Sequence, residues 1–451
     1  MKQSPKAVTA DSLSLNHHME VPWHNMVRDP GSTAPAVTAT LPEKTTIVGR
    51  VGLMFLSVGT GAWRVRQSLN KVARALGVTC SADIGLLTIE LTCFDETSSC
   101  TQAYALRTSG VNTDKLNELQ RLSGQFPDLA QTKTVEELHD LLDELDKRPG
   151  NYSAPLIGLA AAIACCAFTF LLGGGIPEML CAFLGAGVGQ YIRYQMIHHK
   201  ITLLANVMVS VMAACLVYVG CITIAEALFD LSVVHEAGYI CAMLFVIPGF
   251  PLITGGIDVA KLDLRSGIER LTYALLIITV ATLTGYATAF LLHFQPADFA
   301  EYALSPAFTV LFRLLCSFLG VFGFSMMFNS TPKMAAIAGG VGMIANTFRL
   351  ELIDLLSMPL GLSAMLGALT AGLLASLINR KDGYPRLSIT VPSIVIMVPG
   401  LFMYRGIYML ASTDVGDGAL WLTKALLIVL ALPLGLVIAR ILTDPEFRHS
   451  S

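Results

Sequence analysis

The distribution of apolar residues divides the chain into two parts of different character. Before Pro149-Gly150, apolar residues alternate with charged ones in short amphipathic runs. After it come about ten apolar segments, most of them near the roughly 20 residues that a helix needs to cross a bilayer. The pattern predicts a soluble front and a polytopic helical membrane domain. The segments lie near 152–172, 176–192, 201–222, 238–257, 271–293, 306–328, 334–348, 359–378, 388–410 and 420–441.

The front region has the pattern of a small α+β domain over residues 44–150. Residues 45–76 read as one helix that ends at Gly77, and Thr134-Val-Glu-Glu137 is a capping box for a last helix. Between them lie strand-like runs and a further helix, at 78–83, 86–93, 101–108 and 112–126. Residues 1–43 have no apolar core segment and read as a disordered tail rather than a secretory signal, so we expect the front domain in the cytoplasm.

Composition supports this division and excludes several classes of protein. The 451 residues are 54% hydrophobic and 14% charged, against about 25% charged in soluble domains. Residues 1–150 carry 32 of the 63 charges. The net charge of −3, without a basic block, argues against nucleic acid as a partner. An average soluble enzyme is therefore excluded, and membrane lipid is the expected surrounding.

Charges in the predicted loops alternate between the two ends of the segments. With a cytoplasmic N-terminus, the inside loops collect cations and the outside loops collect acids, as the positive-inside rule requires. The inside cations are Arg193, Lys200, Lys261, Arg265, Arg270, Lys333, Arg380, Lys381, Arg386, Arg440 and Arg448. The outside acids are Glu226, Asp230, Glu236, Asp298, Glu301, Glu351, Asp354, Asp414 and Asp417. Arg349 is the main exception. The alternation predicts an even number of helices and a cytoplasmic C-terminus.

Two motifs recur at equivalent places in the two halves of the membrane domain. Pro177-Glu-Met179 is followed by Gly185-Ala-Gly187, and Pro332-Lys-Met334 by Gly340-Val-Gly342 at the same spacing. Pro248-Gly249 and Pro399-Gly400 each have a glycine six residues later, at Gly255 and Gly406. Because each half has five helices, an odd number, the two halves must have opposite orientations in the membrane, as in many secondary transporters. We expect two inverted repeats over 151–294 and 305–442.

The two Pro-Gly pairs predict interrupted helices and a binding site. Proline removes a backbone donor and glycine loosens the chain, and non-helical backbone is tolerated at membrane depth only inside protein or beside a water-filled cavity. The candidate substrate-binding residues are Pro248, Gly249, Pro251, Thr254, Gly255, Arg313, Pro399, Gly400 and Gly406. A structural kink is the alternative.

Polar residues within the apolar segments supply further candidates, because they are costly in a bilayer and often functional. Arg313 would pair with a substrate carboxylate, or else snorkel or pair with an acid such as Glu178. Thr254 would bond a substrate hydroxyl. Asp258 and Asn346 would lie on a proton or substrate path, although Asp258 also fits an interfacial anchor and Asn346 a bond between helices.

Catalytic and cofactor motifs are absent from the sequence. It has no Walker loop, GxGxxG, HExxH or GxSxG motif. Seven of the ten cysteines lie in apolar segments, and the remaining three form no CxxC pair. We therefore expect no cofactor, no metal site and no enzymatic activity.

The sequence resembles the threonine/serine exporter family. The resemblance rests on Ser57-Val-Gly-Thr-Gly-Ala-Trp-Arg-Val65 with Ala75-Leu-Gly77, on Arg107-Thr-Ser-Gly-Val-Asn112, and on Ile247-Pro-Gly-Phe-Pro251 with Asp258, within a similarity over about 45–441. It implies ten helices in two related halves, a cytoplasmic domain and proton-driven export of small hydroxy amino acids. Arg64 and Arg107 match the family. Arg66 stands where the family commonly has Glu, which puts any hydrolase-like role of that acid in doubt.

These observations predict a secondary exporter of threonine or serine in the cytoplasmic (inner) membrane. Its partners would be a small solute, protons and lipid, and a homo-oligomer stays open. One alternative is export of a small dicarboxylate such as succinate, since related two-subunit systems are linked to it. Another is a membrane-anchored enzyme or sensor that uses the front domain, and a channel is a third. Arg64 and Arg107 are the candidates for a supporting role of the front domain.

Overall fold

The computed structural model describes residues 21–229, 238–294, 304–412 and 415–448. The chain divides into two compact units. The first contains the residues up to Ser57 together with Arg66–Ser109 and Arg121–Arg148. The second contains Val58–Val65, Gly110–Gln120 and everything from Pro149 onward. Residues 1–20 of the predicted tail, and the loop acids Asp230, Glu236, Asp298, Glu301 and Asp414, lie outside the described residues.

The front region folds into helices around a small sheet. Helices α1 and α2 precede the three strands, and α3 and α4 follow them. Their bounds are Leu41–Ser57 (α1), Ala62–Ala75 (α2), Thr79–Ile84 (β1), Thr88–Phe94 (β2), Ser99–Ala105 (β3), Thr113–Thr132 (α3) and Val135–Lys147 (α4). The strands are antiparallel in the order β1-β2-β3, which aligns Cys80 with Cys93 and Cys93 with Cys100. The predicted capping box forms, since Thr134 Oγ1 accepts from Glu137 N–H and Glu137 accepts from Thr134 N–H.

The predicted helix over 45–76 is interrupted, so that prediction was wrong at its centre. Helix α1 ends at Ser57 and α2 begins at Ala62. Between them Gly59 has φ of +86°, a left-handed backbone conformation that glycine adopts most easily. A Cβ at Gly59 would also lie 2.7 Å from the carbonyl oxygen of Gly110. Glycine therefore ends the helix here.

Part of the segment assigned to the tail packs on the first unit. Val27 and Ala36 are buried. The Arg28 N–H donates to Glu43 Oε1 at 2.7 Å, and the Ala36 N–H donates to the Lys133 carbonyl at 2.8 Å. Residues 21–40 are thus ordered against this domain rather than separate from it.

Helices account for nearly all of the described part of the second unit. They are Ala154–Leu171 (α5), Ile176–His198 (α6), Leu203–Phe229 (α7), Gly238–Ala242 (α8), Gly249–Ala260 (α9), Leu264–Leu291 (α10), Pro306–Met327 (α11), Pro332–Leu356 (α12), Leu360–Asp382 (α13), Arg386–Val395 (α14), Gly400–Ser412 (α15), Val415–Thr443 (α16) and Pro445–Arg448 (α17). Among the described residues, seven helices are long and apolar enough to cross a membrane, and nine spans result if each bent pair counts as one. Helix α6 has sufficient length but lower hydropathy, since it carries Glu178, Gln190 and Arg193.

Helices α8 and α9 form one bent pair, and α14 and α15 form the other. A short 3-10 turn, Leu244–Val246, follows α8, and the chain bends by 62° before α9. The bend between α14 and α15 is 48°. Both bends fall at the two predicted Pro-Gly pairs, so the sequence identified the interruptions correctly.

Helix contacts in the first half of the membrane domain recur in the second half. Helix α5 packs on α6 as α11 packs on α12, and α6 packs on α7 as α12 packs on α13. Helix α9 packs on α10 as α15 packs on α16. The pairs that cross between the halves also correspond, because α9 contacts α16 and α15 contacts α10. Helices α5 and α11 contact each other.

Candidate functional site

A cavity of about 830 Å³ lies between the two bent pairs. Its wall includes Ile247 and Gly249 from one bend and the five residues Val398–Phe402 from the other. The end of α5 and parts of α11 and α12 complete the wall, with Phe168, Gly173, Arg313, Arg349 and Asp354 among the lining residues. The volume falls in the range of small-molecule binding sites. The predicted Pro399, Gly249, Gly400 and Arg313 are therefore brought to one cavity.

The two bends pack directly against each other. A Cβ at Gly249 would lie 3.0 Å from a methyl group of Val395, which precedes the second bend. A Cβ at Gly400 would lie 2.8 Å from a methyl group of Leu244, which precedes the first bend. Larger side chains at either glycine would push the two interrupted helices apart.

The start of α15 presents unpaired backbone donors at the cavity wall. The Gly400 N–H donates to the Val398 carbonyl and the Met403 N–H to the Pro399 carbonyl. Among the described residues, the N–H groups of Leu401 and Phe402 have no acceptor. Such groups point out of the helix N-terminus, where the helix dipole favours an anion. Both residues line the cavity, so this end of α15 suits a negatively charged group.

Arg313 is held by two acids rather than standing free. Its guanidinium donates to Glu351 Oε1 at 2.8 Å and to Asp354 Oδ2 at 2.5 Å. The predicted alternative partner, Glu178, instead accepts from the Gly175 N–H at 3.0 Å. Arg313 therefore lines the cavity as one member of a three-residue ion network. An unshared role with a substrate carboxylate does not fit this arrangement.

Arg349 is the cation at the cavity wall without a counterion. It has no hydrogen bond or ion pair within the described part of the chain, and its Nε is buried without a partner. Glu351 and Asp354, the nearby acids on α12, are both engaged by Arg313. Sequence reasoning noted Arg349 only as a departure from the positive-inside pattern, which was the available signal.

Five predicted substrate-binding residues, Pro248 among them, lie outside the cavity wall. Thr254 is buried and donates its hydroxyl hydrogen to the Phe250 carbonyl at 2.9 Å, the usual bond of a threonine within its own helix. Pro251 lies in the first turn of α9. Gly255 packs on Arg270 of α10, and Gly406 packs on Leu422 of α16. These two glycines thus allow equivalent close contacts in the two halves.

Asp258 lies near the far end of α9, in a buried polar network. Its Oδ2 accepts from the Ala62 N–H at 3.0 Å and from the Ser266 hydroxyl at 2.9 Å. The same oxygen lies 3.3 Å from Arg270 Nε, and both side chains are about 1% exposed. Asp258 Oδ1 has no hydrogen-bond partner. The sequence analysis identified Asp258 as a candidate but counted Arg270 only as a loop charge.

The loop between α1 and α2 completes this network. Arg270 donates to the Gly59 carbonyl at 3.2 Å and to the Thr60 carbonyl at 2.7 Å. A Cβ at Gly61 would lie 2.6 Å from Asp258 Oδ1, so only glycine fits beside the carboxylate. The Gly-Thr-Gly stretch therefore supplies two acceptors and a close approach to a buried ion pair.

The C-terminal helix packs near the same network. The rings of Trp63 and Phe447 are 5.1 Å apart at their centroids. Lys261 Nζ donates to the Phe447 carbonyl at 2.8 Å, and the Arg440 guanidinium lies over both rings. Cations and rings at this spacing attract each other. The contacts join the ends of α9 and α16 to residues 58–65.

The remaining predicted residues have local partners. Asn346 is buried and donates to the Ser317 hydroxyl at 2.9 Å, while its Oδ1 has no partner. Arg64 lies over the ring of Trp63 at 5.4 Å. Arg107 is exposed in the first unit. Within the described ranges, no group of three or more His, Cys, Asp or Glu is arranged to hold a metal ion.

A separate charged cluster lies in the first unit. Arg50 is buried, donates to the His139 carbonyl at 2.9 Å, and contacts His139 Nδ1 and Asp143. Burial, with the charges of Arg50 and His24, lowers the pKa of His139 to about 4. A hydrogen bond from Lys147, with those from Arg50, lowers the pKa of Asp143 to about 2. His139 is therefore neutral at physiological pH and accepts from Arg50.

Two family models match the chain. A family model described as a putative threonine/serine exporter matches residues 46–293, which is more than half of the chain. A second model, described as threonine/serine exporter, ThrE, matches residues 313–442. The chain belongs to the threonine/serine exporter family.

Individual relatives match most of the chain or about half of it. A probable threonine/serine exporter of Mycobacterium tuberculosis is 25% identical over 411 residues, which is 88% of this chain and 75% of the relative. The threonine/serine exporter of Corynebacterium glutamicum is 24% identical over 80% of this chain and 74% of its own. A probable succinate transporter subunit YjjP of Escherichia coli is 25% identical over 53% of this chain and 90% of its own. No solved structure matches.

Membership of this family and the apolar helices together identify a multi-pass membrane protein. Its relatives are named as transporters rather than enzymes, and these names support an exporter. The match to the succinate transporter subunit covers about half of this chain.

Proposed function

We propose that the chain is a secondary exporter of small hydroxy amino acids, threonine or serine. The observation that carries the proposal is that one cavity is bounded by both interrupted helices. In secondary transporters, discontinuous helices at the interface of two repeats form the substrate site. The proposed site comprises Gly249, Pro399, Gly400 and the free N–H groups that follow Gly400. Pro248 and Pro251 shape the first bend, and Gly255 and Gly406 support the bends from behind.

The membrane domain would contain ten spans in two inverted repeats, 151–294 and 305–442. The recurring helix contacts support this, including the contact pairs that cross between the halves. Counting α6 as a span gives each repeat five helices, and an odd number reverses the second copy. Both termini would then lie in the cytoplasm, in agreement with the loop charges.

In alternating access, the cavity would open to one side of the membrane at a time. The cavity extends from the bends to residues 172–174 and 353–360, on the side that the loop charges predict to be outside. On the other side, Asp258 and Arg270 bind the segment 59–62. Opening toward the cytoplasm would require this polar network to separate, while the cavity closes outside.

Asp258 is the proposed proton site. Its carboxylate is buried, one oxygen has no partner, and Arg270 is its counterion. A proton on Asp258 would remove the charge that holds Arg270 and weaken the network. Release of solute and movement of the proton would thereby be coupled through the same closure. Asn346, buried with an unpartnered oxygen, would line the path between the helices.

The front domain over 44–150 would assist transport rather than catalyse a reaction. Residues 58–65 and 110–120 belong to the compact unit of the membrane helices although they lie within the front sequence. A change in the front domain can therefore reach the Asp258 network through the chain itself. Arg64 and Arg107 are the proposed contacts, and replacing either by alanine should slow export without preventing membrane insertion.

Succinate or a similar dicarboxylate is the second candidate solute. It is favoured by the relatives named as succinate transporter subunits. Counterflow into proteoliposomes loaded with threonine, serine, succinate or alanine distinguishes the candidates. We expect labelled threonine or serine to accumulate against its own unlabelled form. If succinate alone accumulates, it replaces threonine or serine as the proposed solute. If none of the solutes accumulates, the exporter function is contradicted.

A further inference from the structure

We propose that Arg349 binds the carboxylate of the transported solute at the cavity wall, next to the N-terminus of α15. This inference rests on the proposed function and adds the residue that recognises the anionic end of the solute. The family match identifies no binding residue. Three features support this role: the pairing of the cations at the cavity, the position of Arg349 and the free backbone donors of α15.

Among the residues that the structure describes, Arg349 is the cavity arginine without a counterion. The described lining contains three arginines, Arg313, Arg349 and Arg405, and one acid, Asp354. Arg313 uses both Asp354 and Glu351, and Arg405 stacks 5.1 Å from the ring centre of Trp421. Arg349 has no such contact with any described residue. A guanidinium without a counterion at a cavity of this size is best matched by an anion from solution.

The surroundings of Arg349 place it close to the second bend. A Cβ at Gly367 of α13 would lie 3.1 Å from Arg349 Cβ and 3.2 Å from Met397 Sδ. Because Gly367 has no side chain, Arg349 and Met397 can both pack against it. The donors of Leu401 and Phe402 follow within five residues of Met397. A carboxylate between them would receive charge-assisted bonds from the guanidinium and favourable backbone dipoles from the helix.

The chemical class of the ligand follows from this geometry. One uncompensated cation with two backbone donors suits one carboxylate group, carried by either an amino acid or a dicarboxylate. The carboxylate-binding role predicted for Arg313 is thereby assigned to Arg349, whose guanidinium has no partner among the described residues. Arg313 acts instead as a positioning residue that keeps Glu351 and Asp354 away from Arg349.

The test compares the solute with an analogue that has an amide in place of the carboxylate. Binding of L-threonine and L-threoninamide is measured by calorimetry on the full chain in nanodiscs, with succinate and succinamide, which has no carboxylate, as the second pair. Loss of a charged hydrogen bond should weaken analogue binding about tenfold to a hundredfold in the wild type. In Arg349→Gln this preference should fall to near unity, and Arg349→Lys should restore part of it. A residue with a merely structural role would change both affinities alike.

Arg265→Gln is the matched control, because Arg265 is an exposed arginine at the start of α10. It should keep the wild-type preference for the carboxylate. If Arg349→Gln does not fold, the role of Arg349 is tested by comparing the carboxylate preference of the wild type with that of Arg349→Lys. Three results would overturn the role of Arg349. The first is equal affinity of the wild type for carboxylate and amide. The others are an unchanged carboxylate preference in Arg349→Gln and a full wild-type preference in Arg349→Lys. Absence of wild-type binding and counterflow for every solute would instead contradict the proposed function.

Discussion

Gly249 and Gly400 occupy reciprocal positions, each packed against the residues that precede the other glycine. A Cβ at Gly249 would meet Val395 at 3.0 Å, and a Cβ at Gly400 would meet Leu244 at 2.8 Å. The two interrupted helices therefore support each other at one level of the membrane domain. Any movement that opens one bend must displace the other, which suits a site that is exposed to one side at a time.

Leucine at either glycine should abolish transport. Gly249→Leu and Gly400→Leu both place a side chain where less than a normal van der Waals separation is available. Counterflow in proteoliposomes measures the effect, and the amount of protein in the membrane is measured alongside.

Gly340→Leu is the control for this pair, since a Cβ at Gly340 meets nothing within 4 Å. It should retain most of the wild-type counterflow. Normal transport by Gly249→Leu or Gly400→Leu would remove the close contact of the bends from the mechanism.

Asp258→Asn should separate solute exchange from proton coupling. Asparagine keeps the size of the side chain but cannot exchange a proton, and it leaves Arg270 buried without a counterion, which costs about 3–5 kcal/mol of stability. We expect uptake driven by a pH gradient to disappear while counterflow at equal pH persists. Glu269→Gln, at an exposed side chain, should leave both activities unchanged. Retention of gradient-driven uptake in Asp258→Asn would exclude this residue as the proton site.

Loop accessibility should alternate as the charges predict. An impermeant thiol reagent, applied to a variant without its native cysteines, should label cysteines introduced near 174, 358 and 415 from outside. Cysteines near 197, 263 and 383 should stay unlabelled in sealed cells. The predicted outside positions 232 and 297 lie beyond the described residues. Labelling at 263 would contradict the proposed topology.

The stability of the first unit should fall as the pH is lowered from 6.5 to 4. The pKa of His139 lies below its ordinary value of 6.5, at about 4. Its contribution is therefore complete above pH 6.5 and is lost as the pH falls toward 4, because the imidazole of the unfolded chain takes up a proton there and the buried imidazole does not, a change of roughly 3 kcal/mol at 1.36 kcal/mol per unit. Hydrogen exchange of α1 and α4 in the full chain measures it. His139→Gln should flatten the profile over this range, and an unchanged profile would exclude His139 as its cause.

The interrupted helices could be predicted from the sequence because proline and glycine determine them locally. Pro248-Gly249 and Pro399-Gly400 lie at the observed bends, and the capping box at Thr134 forms as its spacing indicated. Both features depend on neighbouring residues alone. The interruption at Gly59 escaped the same reasoning, because its cause includes a distant contact with the Gly110 carbonyl.

The partners of the arginines could not be predicted, because they depend on where a helix ends. The predicted seventh segment stopped at residue 348, which placed Glu351 and Asp354 in a loop. Helix α12 continues to Leu356, so these acids lie three residues apart on one helical face and reach Arg313. Arg349 then has no counterion within the described ranges. Only its departure from the loop-charge pattern marked it in the sequence.

A structure of the protein in nanodiscs with its transported solute tests the central claim most directly. The claim is that one solute molecule binds between the two bends. We predict density for L-threonine or L-serine in contact with residues 398–402 and beside Arg349, absent from Gly400→Leu under the same conditions. Solute density confined to the front domain, or on the far side of Asp258 with the cavity occupied by lipid, would contradict the account.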